Sequence, residues 1–115
     1  MTAVKFDLNA YLLDSANLKG EFNTPYMQAR GFRQVAPITC ADGLSLSVQA
    51  SQTHYCAPRD SIGPWTEVEI GYPSQRVEEL LAYAENSDDP TETVYAYVPV
   101  EVVEAVIEKH GGLKA

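Results

Sequence analysis

The sequence predicts an α+β fold: a single domain in which one antiparallel or mixed β-sheet carries a C-terminal helix and a short second helix. Three observations point there. Residues 44–51 alternate apolar and polar side chains without a fault, and residues 65–72 and 93–98 repeat that period of two. Val102, Val103, Val106 and Ile107 then recur at helical spacing, between Pro99 and the Gly111-Gly112 stop. A chain of 115 residues suits one hydrophobic core and is too short for two.

Val4, Phe6 and Leu8 alternate with Lys5, Asp7 and Asn9, so residues 4–13 read as a half-buried strand. Residues 14–34 keep no period. Asn17, Gly20, Asn23, Thr24 and Pro25 mark an irregular connection, which Tyr26, Met27 and Phe32 are expected to pin to the core. From residue 35 to 113 the elements are regular, and the domain divides into this core and the irregular first 34 residues. Ile38 and Cys40 lead into the turn dipeptide Asp42-Gly43, which closes a β-hairpin. Leu44, Leu46, Val48 and Ala50 then face the core, and Ser45, Ser47, Gln49 and Ser51 form an uncharged outer face for solvent or an interface.

The third strand places Val68, Ile70 and Tyr72 opposite Glu67 and Glu69, and Pro73 ends it. Val77, Leu80, Leu81 and Ala84 fall at i, i+3, i+4 and i+7, which predicts a short amphipathic helix with Glu78 and Glu79 at its positive end. After the 86–90 turn, alternation puts Tyr95 and Tyr97 on one face of a fourth strand. Pro99 suits the first turn of the last helix, whose wet face is Glu101, Glu104 and Glu108. Leu46, Val48, Ile70, Val98, Val103 and Ile107 are the expected core.

No apolar run reaches the eighteen residues of a spanning helix, so no membrane association is expected. The first seven residues lack a secretory leader's basic and apolar regions, and an intracellular address is expected. Two cysteines, Cys40 and Cys56, suit a reducing compartment, and their pairing is left open. The net charge of −8 is uneven: residues 1–59 carry five basic and four acidic side chains, residues 60–115 three basic and twelve acidic. The second half repels a phosphate backbone, so direct nucleic-acid binding is not expected. An anionic ligand belongs near the arginines of the first half.

Residues 54–65 concentrate His54, Tyr55, Cys56, Arg59 and Trp65 with two prolines, in a loop between strands. His54, Tyr55, Arg59 and Trp65 are the candidate ligand-binding residues, with Arg30 and Arg33 as further phosphate partners. The competing reading is a rigid connector, in which Tyr55 and Trp65 fill the core and Arg59 pairs with Asp60 or a strand glutamate. A zinc site would need Cys40, His54, Cys56 and His110, and no paired spacing supports it; no metal and no cofactor are expected. A Cys56/His54 nucleophile lacks any local signature, so an enzyme is disfavoured and no catalytic residue is assigned. The seven tyrosines favour an interface for at least one of them.

Several segments together resemble a family of small tailed-phage and prophage proteins: Ser47-Val48-Gln49-Ala50-Ser51, His54-Tyr55-Cys56-x-Pro58-Arg59, Gly63-Pro64, residues 67–74, residues 90–95 and Tyr97-Val98-Pro99-Val100. The similarity covers residues 35–113. It implies a phage origin and the cytoplasm of an infected bacterium, with no activity attached. From that setting the first expectation is a non-enzymatic, homo-oligomeric binding protein that antagonises bacterial defence by sequestering a nucleotide-derived immune signal. Arg59, Arg30 or Arg33 would meet the phosphate, and Tyr55 or Trp65 the base. Two alternatives stand beside it: an acidic inhibitor that blocks a host defence protein's nucleic-acid channel through acids such as Glu67 and Glu69, and a small Cys/His enzyme.

Overall fold

The computed structural model describes residues 5–115. In chain order these form helix α1 (Leu8–Leu13), 3₁₀ turns at Ser15–Asn17 and Gly20–Phe22, helix α2 (Pro25–Ala29), and strands β1 (Ile38–Thr39), β2 (Ser45–Gln49) and β3 (Glu67–Gly71). A 3₁₀ helix (Glu78–Tyr83), strand β4 (Val94–Pro99) and helix α3 (Val100–Lys109) complete the α+β domain. The sheet is an antiparallel meander, in the order β1-β2-β3-β4. The Asp42-Gly43 hairpin closes as expected, with Cys40 N–H donating to the Leu44 carbonyl at 2.7 Å. Each of the six expected core residues is at most 1% exposed, and α3 buries Val100, Val103, Val106 and Ile107.

The N-terminal strand is corrected to a helix; its first residue, Val4, lies outside the described residues. Asp7 is extended and its carboxylate accepts the Ala10 N–H at 3.0 Å, so it caps α1. The apparent alternation straddled this cap. Leu8 and Leu12, four apart, are the side chains that bury. Glu104, read as wet, is half-buried on α3 and accepts the Leu8 N–H at 2.9 Å, so α1 is joined to α3 at its first turn.

The 14–34 segment is shaped by local caps: Asp14 accepts the Ala16 N–H, and Thr24 caps α2 with Pro25 in its first turn. Tyr26 is 63% exposed and does not anchor it, and Phe32 also stands at the surface. Instead Leu18 bridges Val35, and Val35 is gripped by Gln49: the buried carboxamide accepts the Val35 N–H and donates to the Val35 carbonyl, both at 2.8 Å. The far end of the outer face of β2 is therefore covered, while Ser45 and Ser47 are half-buried. Gln49 and Ser51 are buried, contrary to the expected solvent or interface face.

Three further expectations change. Tyr72, placed on the face of Val68 and Ile70, lies just past the end of β3 and is exposed. Val77 and Leu80 bury as predicted, but the short helix is 3₁₀, with Leu81 and Ala84 only half-buried. It stops because Ala84 turns extended and bridges Tyr95, while Glu85 N–H donates to the Val94 carbonyl, covering part of the edge of β4. Tyr95 and Tyr97 do not share a face. The β3–β4 register slips by one residue between Val68↔Val98 and Ile70↔Tyr95, a bulge with Tyr97 at φ +53°, so Tyr95 and Val98 both point inward and Tyr97 stands out.

Removing the Gln49 carboxamide leaves the N–H and carbonyl of buried Val35 without partners. Gln49→Leu is expected to lower stability by about 2–4 kcal/mol in denaturant titration. Gln49→Glu, which keeps the shape but cannot donate to the carbonyl when ionised, should cost at least as much at neutral pH; a loss under about 0.5 kcal/mol in both would remove the clamp from the account of the fold.

Candidate functional site

The 52–64 loop is fastened at several points. Ala57 forms a bridge with Glu67, the Tyr55 carbonyl accepts the Tyr97 N–H at 3.2 Å, and the Tyr55 N–H donates to Glu69 Oε2 at 3.0 Å. The Asp60 carboxylate accepts from the Ile62 and Gly63 N–H groups, and the Asp60 carbonyl accepts from Trp65 Nε1, each at 3.0 Å. Gly63 adopts φ +64°, and a Cβ there would lie 3.0 Å from the Trp65 ring, so the turn needs glycine on both counts.

Trp65 is a core residue at 2% exposure and does not reach a ligand. Tyr55 is exposed and packs against Tyr97, ring centroids 6.1 Å apart, and the exposed Arg59 guanidinium lies 5.6 Å from the Tyr55 ring centroid. These three form an open platform. The cavities of about 780, 420 and 280 Å³ found among the described residues are lined by other side chains. Arg30 and Arg33 keep different company: Arg30 lies 4.3 Å from the Tyr26 ring centroid, whereas half-buried Arg33 is 5.9 Å from that of Trp65 and donates to the Leu12 carbonyl.

His54, next to Tyr55 in the chain, is half-buried, with Nδ1 2.6 Å from Ser51 Oγ. Burial pulls its pKa below the ordinary 6.5; Glu69 pushes it back up and Arg59 pulls it further down. Both groups therefore act on this imidazole, which favours its neutral form. Cys56 is buried, its thiol donates to the Ser51 and Pro58 carbonyls, and burial pushes its pKa up. A protonated, enclosed thiol is a poor nucleophile. Cys40 is likewise buried, and the two cysteines are unpaired. Among the described residues no group of three or more His, Cys, Asp or Glu side chains is placed to hold a metal ion.

Sequence reasoning missed Tyr97 as a platform residue and Glu69 as the support of the Tyr55 backbone. Nothing in the sequence around residue 97 signals the bulge, since a tyrosine in a run of alternation carries no mark of positive φ. Glu69 looked like a solvated strand residue, yet it is half-buried and holds the Tyr55 backbone. No family model, curated protein or solved structure matches the chain.

Two measurements check this geometry. In an NMR titration His54 should titrate below 6.5, with Arg59→Ala raising its pKa and Glu69→Gln lowering it; no movement in either variant would separate the three groups. Because the folded-state pKa is depressed, the stability that neutral His54 contributes is complete above 6.5 and is lost as pH falls through the folded value. Positive φ at Tyr97 costs a non-glycine residue about 1–2 kcal/mol, so Tyr97→Gly should be more stable than Tyr97→Ala by about 1 kcal/mol in denaturant titration. The reverse order would argue against the bulge.

Proposed function

We propose that this chain is a non-enzymatic binding protein that takes a nucleotide-derived anion on the platform of Tyr55, Tyr97 and Arg59. The observation that carries this reading is the exposed Arg59 guanidinium beside exposed Tyr55, on a loop tied to the sheet, with Tyr55 packed against exposed Tyr97 of β4. A base stacks on a tyrosine face, and the guanidinium fork meets the phosphate. The rest of the loop favours binding over chemistry, because the Ser51 hydroxyl that His54 engages is buried, and so is the Cys56 thiol, which two carbonyls hold. In the setting that the phage-like motifs imply, holding an immune-signal nucleotide in the bacterial cytoplasm antagonises host defence.

A second reading has its own support. Glu85, Asp88, Asp89, Glu92, Glu101 and Glu108 are exposed, and none has an ion-pair partner among the described residues. An acidic surface of this kind suits a basic nucleic-acid channel on a host defence protein. Glu67 and Glu69, the acids first considered for that role, are half-buried, and Glu69 supports the loop, so the α3 acids are the better probes.

Calorimetry against a panel of cyclic and NAD-derived nucleotides tests the first reading, followed by heat release and analysis of what was bound. Arg59→Ala is expected to weaken binding by about 1.5–3 kcal/mol, roughly ten- to a hundredfold, and Arg59→Lys to restore it only in part. A folded Arg59→Ala protein with full affinity sinks the platform reading. In a phage-plating assay, loss of inhibition on reversing Glu101 and Glu108 to lysine, with Arg59→Ala unaffected, moves the function to the acidic surface.

A further inference from the structure

A cavity of about 280 Å³ lies between the N-terminal segment and the far end of the 52–64 loop, lined among others by Ser15, Leu18, Gln28, Phe32, Arg33 and Ser61. Its chemistry differs from that of the wider groove of about 780 Å³, which carries Asp7, Asp14 and Glu108. No acidic side chain lines the smaller cavity, although the chain has a net charge of −8.

Arg33 supplies the charge. It is half-buried, and among the described residues no carboxylate lies within ion-pair distance and its guanidinium donates only to the Leu12 carbonyl. A guanidinium has five N–H donors, so most of them are left for a ligand. Desolvation lowers the Arg33 pKa, and no neighbouring acid offsets it. Arginine stays charged in proteins, and an anion at the cavity would offset the cost of that partial burial. The Trp65 ring centroid lies 5.9 Å from the guanidinium and carries no charge to neutralise it.

We propose that this cavity binds a small phosphomonoester, with the phosphate on the Arg33 fork and the organic body against Leu18 and Phe32. The volume lies just below about 300 Å³, where ordinary small-molecule sites begin, which restricts the occupant to something as small as a sugar phosphate and excludes a dinucleotide. Ser15 and Gln28 offer neutral polar groups at the same cavity. The site is separate from the platform of Tyr55, Tyr97 and Arg59 and does not depend on it.

The test is calorimetry with inorganic phosphate, ribose 5-phosphate and unphosphorylated ribose. Saturable one-to-one binding of ribose 5-phosphate is expected, tighter than inorganic phosphate, with no heat from ribose. Arg33→Gln should weaken it at least tenfold, and Arg59→Ala should leave it unchanged. Arg33→Gln also removes the donor to Leu12, so a second variant is needed: Ser15→Phe fills the cavity from an exposed position and leaves Arg33 in place. It should abolish binding with the circular dichroism spectrum intact. The proposal is overturned by no saturable binding of ribose 5-phosphate, by equal affinity for inorganic phosphate, or by full affinity in folded Ser15→Phe. Loss of binding in Arg59→Ala would assign the phosphate to the platform instead.

Discussion

Two side-chain carboxamides hold the molecule together across its least regular part. Gln49, from β2, pairs with both backbone groups of Val35, and Asn9, from α1, does the same for Trp65: its Oδ1 accepts the Trp65 N–H at 2.7 Å and its Nδ2 donates to the Trp65 carbonyl at 2.9 Å. A carboxamide presents one acceptor and two donors in a plane, so it can stand in for a neighbouring strand where no strand is available. An unmet backbone group in a dry interior costs about 1–3 kcal/mol, and these two side chains meet four such groups. The second N–H of the Gln49 carboxamide is used as well, donating to Ser47 Oγ at 2.9 Å.

From those two clamps the position of the loop follows. With the Trp65 backbone held by Asn9, its indole enters the core and its Nε1 reaches the Asp60 carbonyl, which anchors one end of the 52–64 segment. The other end is set by β4, where the bulge frees the Tyr97 N–H for the Tyr55 carbonyl and turns the Tyr97 ring out beside Tyr55. One local irregularity in β4 thus keeps Tyr95 in the core, keeps Val98 in register and builds half of the aromatic platform. Strain at a non-glycine φ is tolerated because pairs flank it on both sides, Tyr95 with Ile70 and Val98 with Val68.

Electrostatics divides the surface along the same lines. The first half of the chain contributes Arg33 to a cavity without acids, whereas the 3₁₀ helix, the turn after it and α3 present most of the carboxylates to solvent. Where acids enter structure they act on backbone amides: Asp7 on Ala10, Glu104 on Leu8, Glu69 on Tyr55 and Asp42 on Leu44. The Asp42 carboxyl is held below its usual value by the Leu44 N–H and by His110, 2.6 Å away. The ends of the β1–β2 hairpin and α3 are joined by that contact.

The sequence by itself determined the α+β class, the hairpin at Asp42-Gly43, the positions of β2, β3, β4 and α3, and the side chains that fill the core between them. Each of these is written in local periodicity or in a turn or cap residue, and a period of two or of 3.6 survives any packing that keeps one face dry. Tertiary structure decided the rest. That Leu8 begins a helix depends on Asp7 and on Glu104, ninety-six residues away; that Gln49 is interior depends on Val35; and that Tyr97 faces out depends on a slip in register against β3. The same holds for the candidate sites. His54, Tyr55, Arg59 and Arg33 were legible as residue types, but which of them share a surface, and which aromatic is buried, follows from long-range hydrogen bonds that leave no period in the chain.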